Sequence, residues 1–131
     1  MYNLCSTPII KYNDRVLLVH GTESDPLWGK QGKVTSASIV TVSPVSNVVL
    51  QGHSHIQGYY KTGNTTYINP GSVGQPRNGD NKAQYLVANN SMTSFIFNRV
   101  SYDIDSAASK IMESGRPSFL ATRLYLGIWS D

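Results

Sequence analysis

Two histidines set two residues apart, in Gly52-His53-Ser54-His55 at the end of an apolar run, can aim both imidazoles at one ion or at two adjacent ions. Imidazole is the commonest protein ligand for ions such as zinc, manganese and iron. His20, the only other histidine, also follows an apolar run, Arg15-Val16-Leu17-Leu18-Val19. A metal site built on strand ends has this pattern, and a hydrogen-bonded structural pair is the competing reading of His-x-His alone. Gly52 can let the backbone bend away from the strand, and Ser54 is too small to crowd an ion. Downstream lies Asn69-Pro70-Gly71-Ser72-Val73-Gly74-Gln75-Pro76-Arg77, a turn-rich segment. Its amides can face an anion, and Arg77 ends it with a planar fork suited to phosphate.

The elements that must position these residues are short. Pro8-Ile9-Ile10-Lys11 and Arg15-Val16-Leu17-Leu18-Val19 flank Asn13-Asp14, which predicts a β-hairpin whose turn residues tolerate positive φ. Residues 30–45 are expected to be partly helical. Asn47-Val48-Val49-Leu50-Gln51 reads as a buried strand delivering His53 and His55. His53 lies about 30 residues beyond His20, the length that a strand, a crossover and a parallel strand require. Both histidine-bearing ends can then open on one side of a sheet, where ligands of open α/β sheets sit. Further on, Gly58-Tyr59-Tyr60-Lys61, Thr65-Thr66-Tyr67-Ile68-Asn69, Ala83-Gln84-Tyr85-Leu86-Val87-Ala88 and Ser94-Phe95-Ile96-Phe97-Asn98-Arg99-Val100 read as an antiparallel meander. Asp103 is suited to cap a helix running to Glu113, with Ile104, Ala107, Ala108 and Ile111 on one face and Gly115 as its stop. A second helix is expected over residues 118–126 after Pro117.

The 131 residues suit one α/β domain, with 11 basic and 8 acidic side chains, a net charge of +3 and a pI near 9.1. So mild a basic excess describes a solvated surface better than a dedicated polyanion binder. Cys5 is the single cysteine, so no internal disulfide can form, and a reducing, cytoplasmic setting is expected. Met1-Tyr2-Asn3-Leu4-Cys5-Ser6 has neither the basic start nor the apolar core of a signal peptide. No apolar run approaches the length of a membrane span.

Taken in order, Leu17-Leu18-Val19-His20-Gly21, Gly52-His53-Ser54-His55 and Asn69-Pro70-Gly71-Ser72-Val73-Gly74-Gln75-Pro76-Arg77 resemble the calcineurin-like metallophosphoesterases, in particular their small bacterial and archaeal phosphodiesterase branch. Asp25-Pro26-Leu27-Trp28, Tyr102-Asp103-Ile104 and Arg123-Leu124-Tyr125-Leu126-Gly127 look like that branch too. The resemblance implies that His20 and His53 hold one ion of a dinuclear centre and His55 the other. The ions would be manganese, zinc or iron, and a metal-bound hydroxide, with no side-chain nucleophile, would attack phosphorus. Asn69, Ser72 and Arg77 are the substrate-side candidates, the first two within the bracing turn and the third as a phosphate partner.

The family's upstream motifs, Asp-x-His, the Gly-Asp that bridges the metals, and Gly-Asn-His-Asp, have no counterpart here. Gly79-Asp80 follows the histidines and lacks the preceding apolar strand. The chain therefore resembles the C-terminal half of the family's sandwich: mixed and antiparallel strands with two C-terminal helices. Three histidines without a bridging carboxylate suit one ion better than two. Two functions are expected. One is phosphoester hydrolysis, phosphodiesters above all, completed by a separate N-terminal half. The other is an inactive remnant acting as a structural or interaction module, whose bared edges and faces would favour a partner or a homo-oligomer. Nucleic-acid binding through Tyr59, Tyr60, Lys61 and Arg77 ranks last, because strand tyrosines usually pack.

Overall fold

The computed structural model describes residues 8–129, so Cys5 and the first residues lie outside the described part. Among the described residues, ten short elements build a mixed α/β fold. β1 (Ile9–Lys11), β2 (Val16–Val19), β4 (Asn47–Gln51), β6 (Thr65–Asn69) and β5 (Gly58–Thr62) form a five-stranded sheet in that spatial order. β3 (Ile39–Thr41), β8 (Ser94–Val100) and β7 (Ala83–Ala88) form a second sheet. Helices α1 (Ile104–Glu113) and α2 (Phe119–Leu126) follow.

β2, β4 and β6 run parallel, with Val16 beside Val48 and Val19 beside Gln51. Their β-branched residues alternate across the sheet. Val16, Leu18, Val48, Leu50 and Ile68 meet Val40, Leu86, Ala88, Phe95 and Phe97 of the other sheet in one core. Phe95, Ile68 and Val48 have no exposed surface. Burying side chains of this size stabilises by about 1.5–3 kcal/mol each, which dominates the fold.

The hairpin β1–β2 forms as expected, by a different turn chemistry. Asn13 Oδ1 accepts from the backbone N–H groups of Arg15 and Val16, each at 2.9 Å. Neither Asn13 nor Asp14 has a positive φ. The helical expectation for residues 30–45 is wrong: Thr35 bridges Tyr59 beside β5, and β3 pairs antiparallel with β8. Ser, Thr and Val in that stretch fit an extended, pleated backbone better than a helix. The expected meander is also corrected. β5–β6 and β7–β8 are separate hairpins in different sheets, and β6 takes β4 as a parallel neighbour.

Both helices form as expected. Asp103 Oδ1 caps α1 by accepting from Ser106 N–H at 2.9 Å, and Ala108 packs against Ala121 and Leu124 of α2. Gly127 ends α2 in the left-handed conformation, φ 61°. A Cβ there would stand 2.5 Å from the Asp80 carbonyl, so only glycine lets α2 seat against residues 79–81.

Gln57, 2% exposed, rivets the sheets together. Its Nε2 donates to the carbonyls of Pro70 (3.0 Å) and Asn98 (3.2 Å), and its Oε1 accepts from Arg99 Nε at 2.8 Å. Leucine at this position would strand those partners. Gln57→Leu is expected to lower the unfolding free energy by about 2–3 kcal/mol in urea titrations, from the cost of unpaired buried polar groups. A loss within 0.5 kcal/mol, the ordinary range of surface substitutions, would show that the rivet contributes nothing.

Candidate metal centre

The parallel pairing of β2 and β4 places His20 and His53 at one end of the sheet, one immediately after each strand and its exit. Gly52 N–H donates to the His20 carbonyl at 3.0 Å, locking the two exits together. His53 Nδ1 stands 3.2 Å from His20 Nε2, with the rings edge to face at 73°. Two imidazole nitrogens, each about 2.0–2.1 Å from one zinc ion, stand roughly 2.9–3.4 Å apart for bond angles from square to tetrahedral. The observed separation lies inside that interval, so the pair fits one ion, which would displace the shared proton. Trp28 meets His53 edge to face at 6.1 Å on the solvent side.

The bend that aims the histidines falls on the histidines themselves. Gly52 has no positive φ, whereas His53 (φ 58°) and His55 (φ 59°) are both left-handed. Residues with side chains rarely hold this conformation unless their surroundings enforce it. Asn69 is the enforcing group. Fully buried, it donates from Nδ2 to the Gly52 carbonyl (2.7 Å), Gln31 Oε1 (2.7 Å) and Ser54 Oγ (3.1 Å). Its Oδ1 accepts from Gly71 N–H at 2.8 Å. Gly71, at φ 86°, is left-handed as well, and a Cβ there would collide with the Gln84 side chain. Asn69 thus braces the histidine loop from beneath. Ser72 does similar work on its own turn, its Oγ accepting from Gln75 N–H at 2.9 Å.

His55 is held apart from the other two histidines by its own partner. Its Nδ1 lies 2.8 Å from the Gln75 carbonyl, which can only accept, so Nδ1 carries the proton and Nε2 keeps its lone pair. Burial, opposed by that hydrogen bond and assisted by the Arg77 charge, holds His55 below the usual imidazole range. Burial, with His20 and Arg77 nearby, lowers His53 too. Both rings are therefore neutral near pH 7, the form that ligates metal. Arg77 is half-buried over the Trp129 ring, 3.8 Å from its centroid, and its backbone N–H donates to the His55 carbonyl.

The site is incomplete in one respect. Among the described residues, no three His, Cys, Asp or Glu side chains are gathered closely enough to hold an ion. Three acids stand elsewhere, with Asp14 paired with Lys11, Asp80 with Arg99, and Asp105 accepting from Tyr125, whereas the Asp25 charge reaches His53 and partly opposes the lowering by burial. The sequence reading missed Gln31, Gln75 and Arg123 as members of the neighbourhood. Glutamine gives no spacing signal, and Arg123 was visible only as part of a resemblance.

Asn69→Ala is expected to cost about 3 kcal/mol of stability in urea unfolding, since several buried partners lose their bonds together; a change under 1 kcal/mol would remove the brace from the account. Nitrogen-15 NMR at pH 7.5 is expected to show the His55 proton on Nδ1. A proton on Nε2 would disqualify that atom as a ligand.

Residues 5–92 match the model of the calcineurin-like phosphoesterase superfamily domain. An uncharacterized protein of Methanocaldococcus jannaschii, MJ0912, is 38% identical over 96 residues, covering 62% of this chain and 40% of that protein. The fold superposes on a metallophosphoesterase from Sphaerobacter thermophilus with a TM-score of 0.76, at 23% identity over 92% of this chain and 59% of that one. A hypothetical protein of Pyrococcus horikoshii, PH1004, gives a TM-score of 0.71 at 17% identity, over 93% and 50% of the two chains. The chain thus spans less than two thirds of the length of each of these relatives. With the family match covering most of its length and the sandwich shared with such structures, the chain belongs to the calcineurin-like phosphoesterase superfamily.

Proposed function

We propose that these residues form part of a metal-dependent phosphoester hydrolase centre, acting above all on phosphodiesters. The observation that carries the reading is the 3.2 Å approach of His20 Nε2 to His53 Nδ1 at two parallel strand ends. His20 and His53 would hold one divalent ion, and His55, through Nε2, would serve a second. Manganese, zinc or iron in those positions supplies Lewis-acid charge that draws a phosphoester and its attacking water together. The chain's own part is to orient. Gln75 fixes the tautomer of His55, Asn69 fixes the loop, and Arg77 would offer its fork to an anionic oxygen of the substrate. The carboxylates of a two-ion centre would come from another segment or a separate N-terminal half, because the described residues gather no group of three or more His, Cys, Asp or Glu side chains around an ion.

A second reading, an interaction module without turnover, is favoured by one observation. The outward face of the three-stranded sheet exposes Ile39 (54%), Ile96 (45%) and Val87 (48%) side by side across its strands, with Val100 (48%) further along β8. Apolar side chains grouped this way invite a partner or a second copy. No helix among the described residues is long and apolar enough to cross a membrane.

Hydrolysis of bis(p-nitrophenyl) phosphate with manganese, by the chain alone and mixed with a polypeptide supplying the family's N-terminal half, separates the readings. Turnover is expected with the added half, with His53→Ala at least 100-fold slower. Absence of turnover under both conditions would sink the hydrolase reading in favour of the module.

A further inference from the structure

Two guanidiniums from distant parts of the chain converge beside the histidines. Arg77 comes from the segment after β6 and Arg123 from α2, and both lie against the Trp129 indole, with Cζ 3.8 and 5.9 Å from its centroid. Arg123 also stands 5.9 Å from the Phe119 ring. Each ring attracts a cation through its π face, which offsets part of the repulsion between like charges. Among the described residues no carboxylate forms an ion pair with either guanidinium, the ion pairs being Lys11 with Asp14 and Arg99 with Asp80. Arg77 Nε, moreover, is buried without a hydrogen-bond partner. A buried guanidinium nitrogen without a partner is costly, and a bound ion is one of the few things that repay it.

The pair is tied to the histidines by Gln75. With its amide oxygen facing α2, Gln75 accepts from Arg123 Nη1 at 2.8 Å and Nε at 3.2 Å, while its backbone carbonyl accepts from His55 Nδ1. Gly127 seats α2 against residues 79–81, and Asn81 Nδ2 donates to the Tyr125 carbonyl, so Arg123 is held in place by the helix end. Arg77 is tied to the same loop, its backbone N–H donating to the His55 carbonyl at 3.1 Å.

We propose that Arg77 and Arg123 together form an anion-binding subsite beside the histidines, one that receives a second phosphoryl group of the substrate and so selects phosphoesters with more than one anionic phosphate. This rests on the phosphoester reading above and deepens it. Two forks, carried on separate elements and meeting at one indole, can each take the oxygens of a different phosphorus atom.

Isothermal titration calorimetry of the full chain in EDTA, with inorganic pyrophosphate and orthophosphate as probes, tests the subsite without metal or turnover. Wild type is expected to bind pyrophosphate at least tenfold more tightly than orthophosphate. Arg77→Met and Arg123→Met should each lose tenfold or more of the pyrophosphate affinity, and Lys61→Met, an exposed cation on β5, should lose none. If Arg123→Met does not fold, Arg123→Lys decides, because it keeps the charge without the fork: a loss of threefold or more supports the subsite, and wild-type affinity overturns it. Equal wild-type affinity for the two anions, or an Arg123→Met chain that binds as wild type does, also overturns it. Because no hydrolysis is read, failure here leaves the hydrolase reading standing, and failure of hydrolysis leaves this result standing.

Discussion

The parallel pairing of β2 with β4 is the constraint on which the rest of the molecule depends. Its register sets Val19 beside Gln51, so the residues that follow leave the sheet at the same end and at the same height. A slip of one residue would turn Val16, Val48 and their neighbours from the core to the opposite face. The same slip would carry His20 and His53 out of reach of each other. Packing energy and site geometry are thus fixed by one choice, and the fit of Phe95 and Ile68 in the core enforces the contact between two imidazoles.

Around that contact the interior is polar without being charged. Gln51, Gln57, Asn69 and Gln84 are the largest buried polar side chains, and each is an amide. An amide offers donors and an acceptor on one rigid plane, so it can tie strands from both sheets to a loop without the desolvation cost of a buried ion. Gln57 spans the sheets, Asn69 spans the histidine loop and the following turn, and Gln75 links His55 to α2. The positive charge of Arg77 acts on His55 and His53, and at His53 the Asp25 carboxylate opposes it in part.

Much of the fold was legible in the sequence, and the failures have physical reasons. Local signals pointed to α1 and α2, because Asp103, Gly115 and Pro117 each act within one turn of the chain. Short apolar or β-branched runs between turn residues marked every strand except β3. Such runs could not give the strands' partners, because a strand's pattern is the same whichever sheet receives it: β6 chose β4 through contacts remote in sequence, and the expected meander divided. Residues 30–45 were misread because Ser and Thr suit several backbones, and pairing with β8 and Tyr59 decided between them. The three histidines were visible from their positions after apolar runs. The left-handed backbone beneath them was not, since Gly52 drew attention while His53 and His55 adopted the unusual φ.

Those two left-handed histidines change the thermodynamics of whatever binds there. An imidazole on an ordinary flexible loop must give up backbone and rotamer freedom when it meets a ligand, and that loss is subtracted from affinity. Here the loop is already held by Asn69 and by the Gly52 bond to His20, so the ordering entropy is borne when the chain folds. The stability of the domain and its affinity for a ligand then draw on the same hydrogen bonds, and loosening the brace would weaken both.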